Sequence, residues 1–156
     1  MDGPAREYRY QVDRDGRVFH DGTEVVDAAV LRFFLRAMTS TPDGRCLVLC
    51  QGERNWFEAP DTPFVVQRLR LTVERGRLQA VELVFPGDYR EPLDQGTLET
   101  ERDLLFCRVR GGVFRARFGR VALGQLAPFL LDDREGLALP LGGARHPVPA
   151  PAATSP

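Results

Sequence analysis

Arginine is the residue best equipped for chemistry in this chain, and four arginines fall between positions 104 and 118. A two-residue turn at Gly111 and Gly112 pairs Arg110 with Val113. The same register pairs Val109 with Phe114, Cys107 with Ala116 and Leu105 with Phe118, all apolar and all on one face. The other face then sets Arg108 opposite Arg115 and Phe106 opposite Arg117. Like charges directly opposite each other repel. Acidic neighbours must compensate them, or a bound anion must. The guanidinium fork suits carboxylate or phosphate, and the sequence leaves both answers open.

Other chemistry is sparse. Asp13 and Asp15 flank Arg14 and could face a cation, but aspartates in a turn ordinarily bond their own backbone. His20, beside Asp21 at a strand end, could act as a base; a surface turn is the expected setting. Cys46, Cys50 and Cys107 lie in apolar runs without a CxxC spacing or a nearby histidine, so they read as free thiols in the core. The chain has no Walker loop, no GxSxG elbow and no HExxH helix. No catalytic residue, metal site or cofactor is expected.

Composition narrows the classes further. The 156 residues suit one domain or two small intimate ones, and 43 % hydrophobic content supports a real core. A formal net charge of −1 gives no global field for nucleic acid or membrane. All 21 basic residues are arginine, with no lysine and no isoleucine anywhere. That pattern fits genomic codon bias, so arginine abundance alone says nothing about phosphate. The N-terminus lacks an apolar signal core, and no stretch approaches the roughly 18 apolar residues of a membrane span. The expectation is a cytoplasmic protein with no membrane partner.

The elements that must position the arginines read as follows. A half-buried strand covers 8–13, where Tyr8, Tyr10 and Val12 alternate with polar residues. A tight turn leads into a short strand at 17–20. Asp27 caps a helix over 27–38. Its apolar stripe is Val30, Phe33, Phe34, Ala37 and Met38, widened by Leu31 and Leu35. A strand at 45–50, a polar turn at 52–55 and an ordered, proline-bearing loop at 59–63 follow. Residues 64–75 and 77–85 form a long hairpin about Arg75 and Gly76. Residues 86–103 read as a connection, with room for a short helix within 97–104. A second helix near Val121 is shortened by Pro128, and a strand covers 137–141. From Pro147 the composition is that of a disordered tail.

The chain also repeats itself. Shifted by 95 positions, Gly16, Val18, Phe19, Val26, Leu31, Phe34 and Leu35 fall on Gly111, Val113, Phe114, Val121, Leu126, Phe129 and Leu130. With three residues deleted in the turn, Gly44, Leu47 and Leu49 fall on Gly136, Leu139 and Leu141. Every match is glycine or apolar, so the repeat concerns the framework. The fold class is therefore α+β, as duplicated strand–turn–helix–strand units with mostly antiparallel sheets. The divisions are a tail at 1–7, a first half at 8–75, a second half at 76–146 and a disordered tail at 147–156.

The run from Asp13 through Gly16, Phe19 and Gly22, then the helix, then Asp43 and Gly44 before an apolar strand, resembles the bacterial family called domain of unknown function 1285. Glu53 and Arg54 stand where that family has a polar turn. Asp61, Thr62, Pro63 and Phe64 stand at its Asp-Ala-Pro-Phe segment. Arg110, Gly112, Ala116, Arg117 and Arg120 match its second-half pattern, and the likeness covers about 8–146. Pro60 and the pair Cys50 and Gln51 depart from it. The resemblance implies a duplicated α+β core whose second half is loosely pleckstrin-homology-like. It also implies a groove between the halves for a nucleotide or nucleic acid, in signalling, with no activity attached.

Together these readings expect a non-catalytic binding or regulatory module for an anionic ligand. Glu53, Arg54, Asp61, Arg108, Arg110, Arg117 and Arg120 are its candidate residues, the arginines for phosphate and the carboxylates for a base or sugar. The competing class is a protein–protein adaptor or homodimer built on an exposed strand edge. A third is a carboxylate enzyme, whose base would have to be Asp61, Glu53 or His20.

Overall fold

The computed structural model describes residues 6–150. It is a mixed α+β fold, mostly strand, with two short helices and mainly antiparallel sheets. Strand β1 (Glu7–Val12) sets half-buried Tyr8 and Tyr10 between exposed Arg9 and Gln11, the alternation of a strand with one wet face. Asp13 builds the turn after it. Its carboxylate accepts from the backbone N–H of Asp15 and of Arg17, each at 2.9 Å, and pairs with the Arg17 guanidinium at 2.8 Å. β2 (Val18–His20) and β3 (Thr23–Val25) complete a meander.

Helix α1 (Ala28–Ala37) starts where Asp27 accepts from the Val30 N–H at 3.0 Å. Its buried side is Leu31, Phe34, Leu35 and Met38. Val30 and Phe33, expected in the core stripe, are 39 % and 43 % exposed. Gly87 explains the rotation. It has φ +74°, and a Cβ there would lie 2.6 Å from both the Ala28 oxygen and the Arg32 nitrogen. The turn carrying it therefore sits hard against the 28–32 side of the helix, which brings Leu31 inward and turns Val30 and Phe33 out. β4 (Thr39–Ser40), β5 (Cys46–Cys50) and β6 (Glu53–Glu58) finish a six-stranded sheet of order β3-β2-β1-β6-β5-β4. Its one parallel pair, β1 with β6, closes the two hairpins into one surface.

The stretch 64–75 is two strands. β7 (Phe64–Val66) leaves the first half and pairs in parallel with a later strand, while β8 (Arg68–Glu74) forms the expected hairpin with β9 (Arg77–Phe85). The division expected at 75/76 falls on the turn of that hairpin. Residues 86–103 are likewise more than a connection. β10 (Tyr89–Pro92) pairs with β9, and β11 (Glu99–Glu101) pairs with the strand after it. Leu93 and Leu98, 7 % and 1 % exposed, anchor the path between them. In place of the short helix that 97–104 had room for, that region carries the end of a 3₁₀ turn and then β11.

β12 (Leu104–Val109) and β13 (Phe114–Phe118) pair in the register that the Gly111–Gly112 turn dictates, Val109 with Phe114 and Phe106 with Arg117. α2 (Arg120–Leu126) passes into a 3₁₀ turn at Pro128. β14 (Leu131–Asp133), β15 (Gly136–Leu141) and β16 (Ala144–Pro147) form a last small sheet. The disorder expected from Pro147 is not found through residue 150. Val148 is buried, and its N–H bonds the Leu137 oxygen at 2.9 Å. Thr100 N–H bonds the Pro149 oxygen at 2.9 Å. The remainder of that expectation, 151–156, lies outside the described residues, as does most of the N-terminal tail.

A single apolar cluster runs from Val12 and Phe34 through Phe64 and Phe85 to Leu139 and Val148. Gly16 brings the β1–β2 turn against β7. At φ +84° its Cα lies so near β7 that an added Cβ would stand 3.0 Å from the Val65 Cβ. Among the described residues no helix is long and apolar enough to cross a membrane.

Candidate functional site

The seven residues expected to share a ligand are divided by the fold. Asp61 and Arg117 do meet. The Arg117 side chain is 7 % exposed and pairs with the Asp61 carboxylate at 3.0 Å. It also donates to the backbone oxygen of Arg14. Thr62 Oγ1 donates to the Arg115 oxygen at 2.5 Å. Arg117 is thus a strut tying strand β13, the 59–63 loop and the β1–β2 turn together. On the arginine face, Arg115 and Arg117 both have acidic partners. Arg115 pairs with Glu99 at 3.0 Å and Glu101 at 2.6 Å, and lies 3.5 Å over the Phe106 ring.

Arg110 points the other way. Its guanidinium donates to the Leu35 oxygen at 2.6 Å and lies near the Phe114 ring, on the core side of the hairpin. Leu35 is in the last turn of α1, where carbonyls lack intrahelical partners. The Arg110 N–H meanwhile bonds the Glu91 carboxylate at 3.1 and 3.2 Å, and Glu91 accepts from the Tyr89 hydroxyl at 2.5 Å. Burial first, then the bond to Glu91, raise the Tyr89 pKa. This cluster joins the hairpin turn to the helix. Arg110→Met will lower stability by about 1.5–3 kcal/mol, the worth of a charged hydrogen bond, in urea unfolding.

The others lie apart. Arg54, at the start of β6, pairs with Glu7 at 3.5 Å, and Glu53 stands beside it, half-buried. Arg108 is exposed, with its N–H bonded to Thr97 Oγ1 at 2.8 Å. Arg120 is exposed at the start of α2.

A concave site does open next to Asp61. It has a volume of about 230 Å³ and is walled by Arg45, Cys46, Trp56, Glu58, Asp61 and Thr62. The Arg45 guanidinium lies 3.8 Å from the centre of the Trp56 ring. Arg9 stands directly across from Trp56 in the β1–β6 register, on the sheet face turned away from α1. Two exposed arginines therefore flank the one tryptophan in the chain. Asp61 reaches this wall already held by Arg117. The cavity is smaller than the ~300–1,000 Å³ of sites for drug-sized ligands, and suits a single ring with its charged group outside.

Sequence reasoning found Asp61 and missed Arg9, Arg45 and Trp56. Arg9 reaches Trp56 through the pairing of β1 with β6, two strands more than forty residues apart whose parallel register no turn announces, whereas Arg45 meets Trp56 across the β5–β6 hairpin.

The thiols differ in reach. Burial, then the Glu91 and Asp94 charges, push the Cys107 thiol up to about 12. Burial also raises Cys46. At about pH 8 the thiolate is the reacting form. A thiol reagent under native conditions will therefore modify Cys46 and Cys50 while Cys107 waits for unfolding, as read by peptide mass mapping.

No protein-family model matches the chain, and no curated protein matches it. Two solved structures are similar. A DUF1285 family protein from Silicibacter pomeroyi DSS-3 aligns with a TM-score of 0.67 at 16 % identity, over 95 % of this chain and 88 % of that one. A second, from Shewanella baltica OS155, aligns with a TM-score of 0.55 at 12 % identity, over 71 % of this chain and 84 % of that one. With most of each neighbour covered at so little identity, the likeness is one of architecture: this chain has the fold of the DUF1285 proteins.

Proposed function

We propose that the protein is a non-catalytic, cytoplasmic binding module for a small anionic ligand bearing a flat ring, a mononucleotide being the natural form, and that it serves in signalling. The observation that carries this reading is the Arg45 guanidinium lying 3.8 Å over Trp56, with Arg9 across the sheet and Asp61 in the wall. A ring can replace Arg45 on the indole face, as aromatic side chains stack on nucleobases. The displaced guanidinium and Arg9 then meet the phosphate. Asp61 and Glu58 can accept from ring N–H groups or sugar hydroxyls.

A duplicated framework belongs to the same reading, with a second half loosely of pleckstrin-homology type. The order hairpin, helix, strand, hairpin runs from β12 to β16 and, with β3 added before the helix, from β1 to β6, which supports it. The copies differ in closure. The first joins its hairpins through β1 and β6, whereas β13 takes β7 as its parallel neighbour.

The test uses the lone tryptophan. Titration with nucleoside monophosphates should quench Trp56 fluorescence, and inorganic phosphate should not. Ligand at roughly 100 times its dissociation constant should add about 2.7 kcal/mol of stability. Arg45→Gln should weaken binding about tenfold or more, the worth of a charged hydrogen bond, and Arg120→Gln should leave it unchanged. Unchanged fluorescence with every nucleotide at millimolar concentration removes the reading.

A further inference from the structure

Strand β8 has a neighbour on one side only. The start of its bare edge is plugged by a side chain. Gln125 accepts the Leu69 N–H at 2.7 Å and donates to the Leu69 oxygen at 3.1 Å, doing for one residue what a paired strand does. Backbone groups alternate in direction along a strand, so Leu71 and Val73 turn their N–H and C=O groups the same way as Leu69, away from β9. The irregularity in this hairpin lies on β9: Thr72 pairs with Ala80 and Val73 with Leu78, which leaves Gln79 as the extra residue and β8 regular. The open stretch shows Arg70, Thr72 and Glu74 on its outer face, and Val73 is 45 % exposed.

We propose that this edge pairs with a second copy of itself, as two antiparallel β8 strands about a two-fold axis at Thr72. The three-stranded sheets of the two copies then become one of six strands. In this register Leu71 hydrogen-bonds Val73 of the second copy, Thr72 faces Thr72, and Arg70 faces Glu74. Symmetry makes each contact twice, so the strand is complementary to itself in charge. Threonine pairs and opposite charges are favourable across strands. The Gln125 plug selects the register. Centring the axis on Leu71 would need the Leu69 edge, which Gln125 already fills. Centring it on Val73 would leave Arg70 without its acidic partner. A ribbon this short falls below the roughly 1,200–2,000 Å² of stable interfaces, so the dimer is weak and depends on concentration. No residue of this edge lines the Trp56 pocket, and the two proposals stand or fall separately.

Sedimentation equilibrium from about 10 μM to about 1 mM, a range matched to weak association, tests it. The native chain should dimerise progressively. Arg70→Glu or Glu74→Arg alone sets like charges face to face and should raise the dissociation constant about tenfold or more. An equimolar mixture of these two variants should recover dimer, because each unlike charge then meets its opposite. Melting curves at low concentration check that both variants fold; the exposed Arg70–Glu82 pair at 3.7 Å that one of them loses is weak. Amide exchange at Leu71 and Val73 in the native chain should slow as concentration rises. A chain that stays monomeric throughout overturns the proposal, as does a dimer indifferent to both variants.

Discussion

Replacing Arg117 with methionine will destabilise the protein by about 3 kcal/mol, the lower end of the range for breaking a buried ion pair by removing one partner. The guanidinium lies within 3.0 Å of Asp61 and is nearly sealed from water, whereas the Asp61 side chain is 26 % exposed. Water can therefore restore part of what Asp61 loses, which keeps the expected cost at the low end. The Arg14 carbonyl, also bonded by Arg117, loses its partner too. Asp61→Asn should cost less, since an amide oxygen still accepts from Arg117. A double-mutant cycle between the positions should return a coupling of about 0.5–3 kcal/mol, as for residues in direct contact. Urea unfolding supplies the values. A cost under about 1 kcal/mol for Arg117→Met, typical of exposed ion pairs, would show that the strut does not hold the halves together. The same variant should loosen Asp61 in the pocket wall and weaken any ligand read through Trp56.

What could be read from the sequence depended on how local its cause was. The register of β12 and β13 was legible because Gly111 and Gly112 admit one tight turn, and everything else follows by counting. The start of α1 was legible because Asp27 supplies an acceptor at the right distance along the chain. The arginine face was legible as a problem but not in its solution. Glu99 and Glu101 compensate Arg115 from a strand inside a stretch that reads as a connection. Arg110 shows the limit of face counting. It has φ +56° at the edge of the turn, and its side chain leaves the row of Arg108, Arg115 and Arg117 for the helix. The Trp56 pocket was illegible because it is walled by the open end of the β5–β6 hairpin and by a loop that Arg117 anchors from a distant strand.

Phe34→Ala should lower stability by about 3–5 kcal/mol, the range for emptying a large aromatic from a packed core. Phe33→Ala beside it should stay within about 0.5 kcal/mol, as surface substitutions do. By sequence alone the two are equivalent, since both fit the apolar stripe of α1. The structure separates them. Phe34 is 8 % exposed and meets Tyr10 at 5.1 Å and Phe57 at 4.9 Å between ring centres, the latter edge to face. Such aromatic pairs add about 0.5–1.5 kcal/mol each beyond burial, which favours the upper half of the range. Phe33 is 43 % exposed and keeps only the Phe34 ring as an aromatic neighbour. The difference between the two variants in urea unfolding measures the rotation of the helix directly. Equal losses would mean that α1 presents the phase its sequence suggests, with Phe33 inside. A large gap in favour of Phe34 fixes the helix where Gly87 and the Pro86–Asp88 turn hold it. It also ties the position of α1 to the Arg110 bond at its far end, because a rotated helix could not offer the Leu35 carbonyl to the same guanidinium.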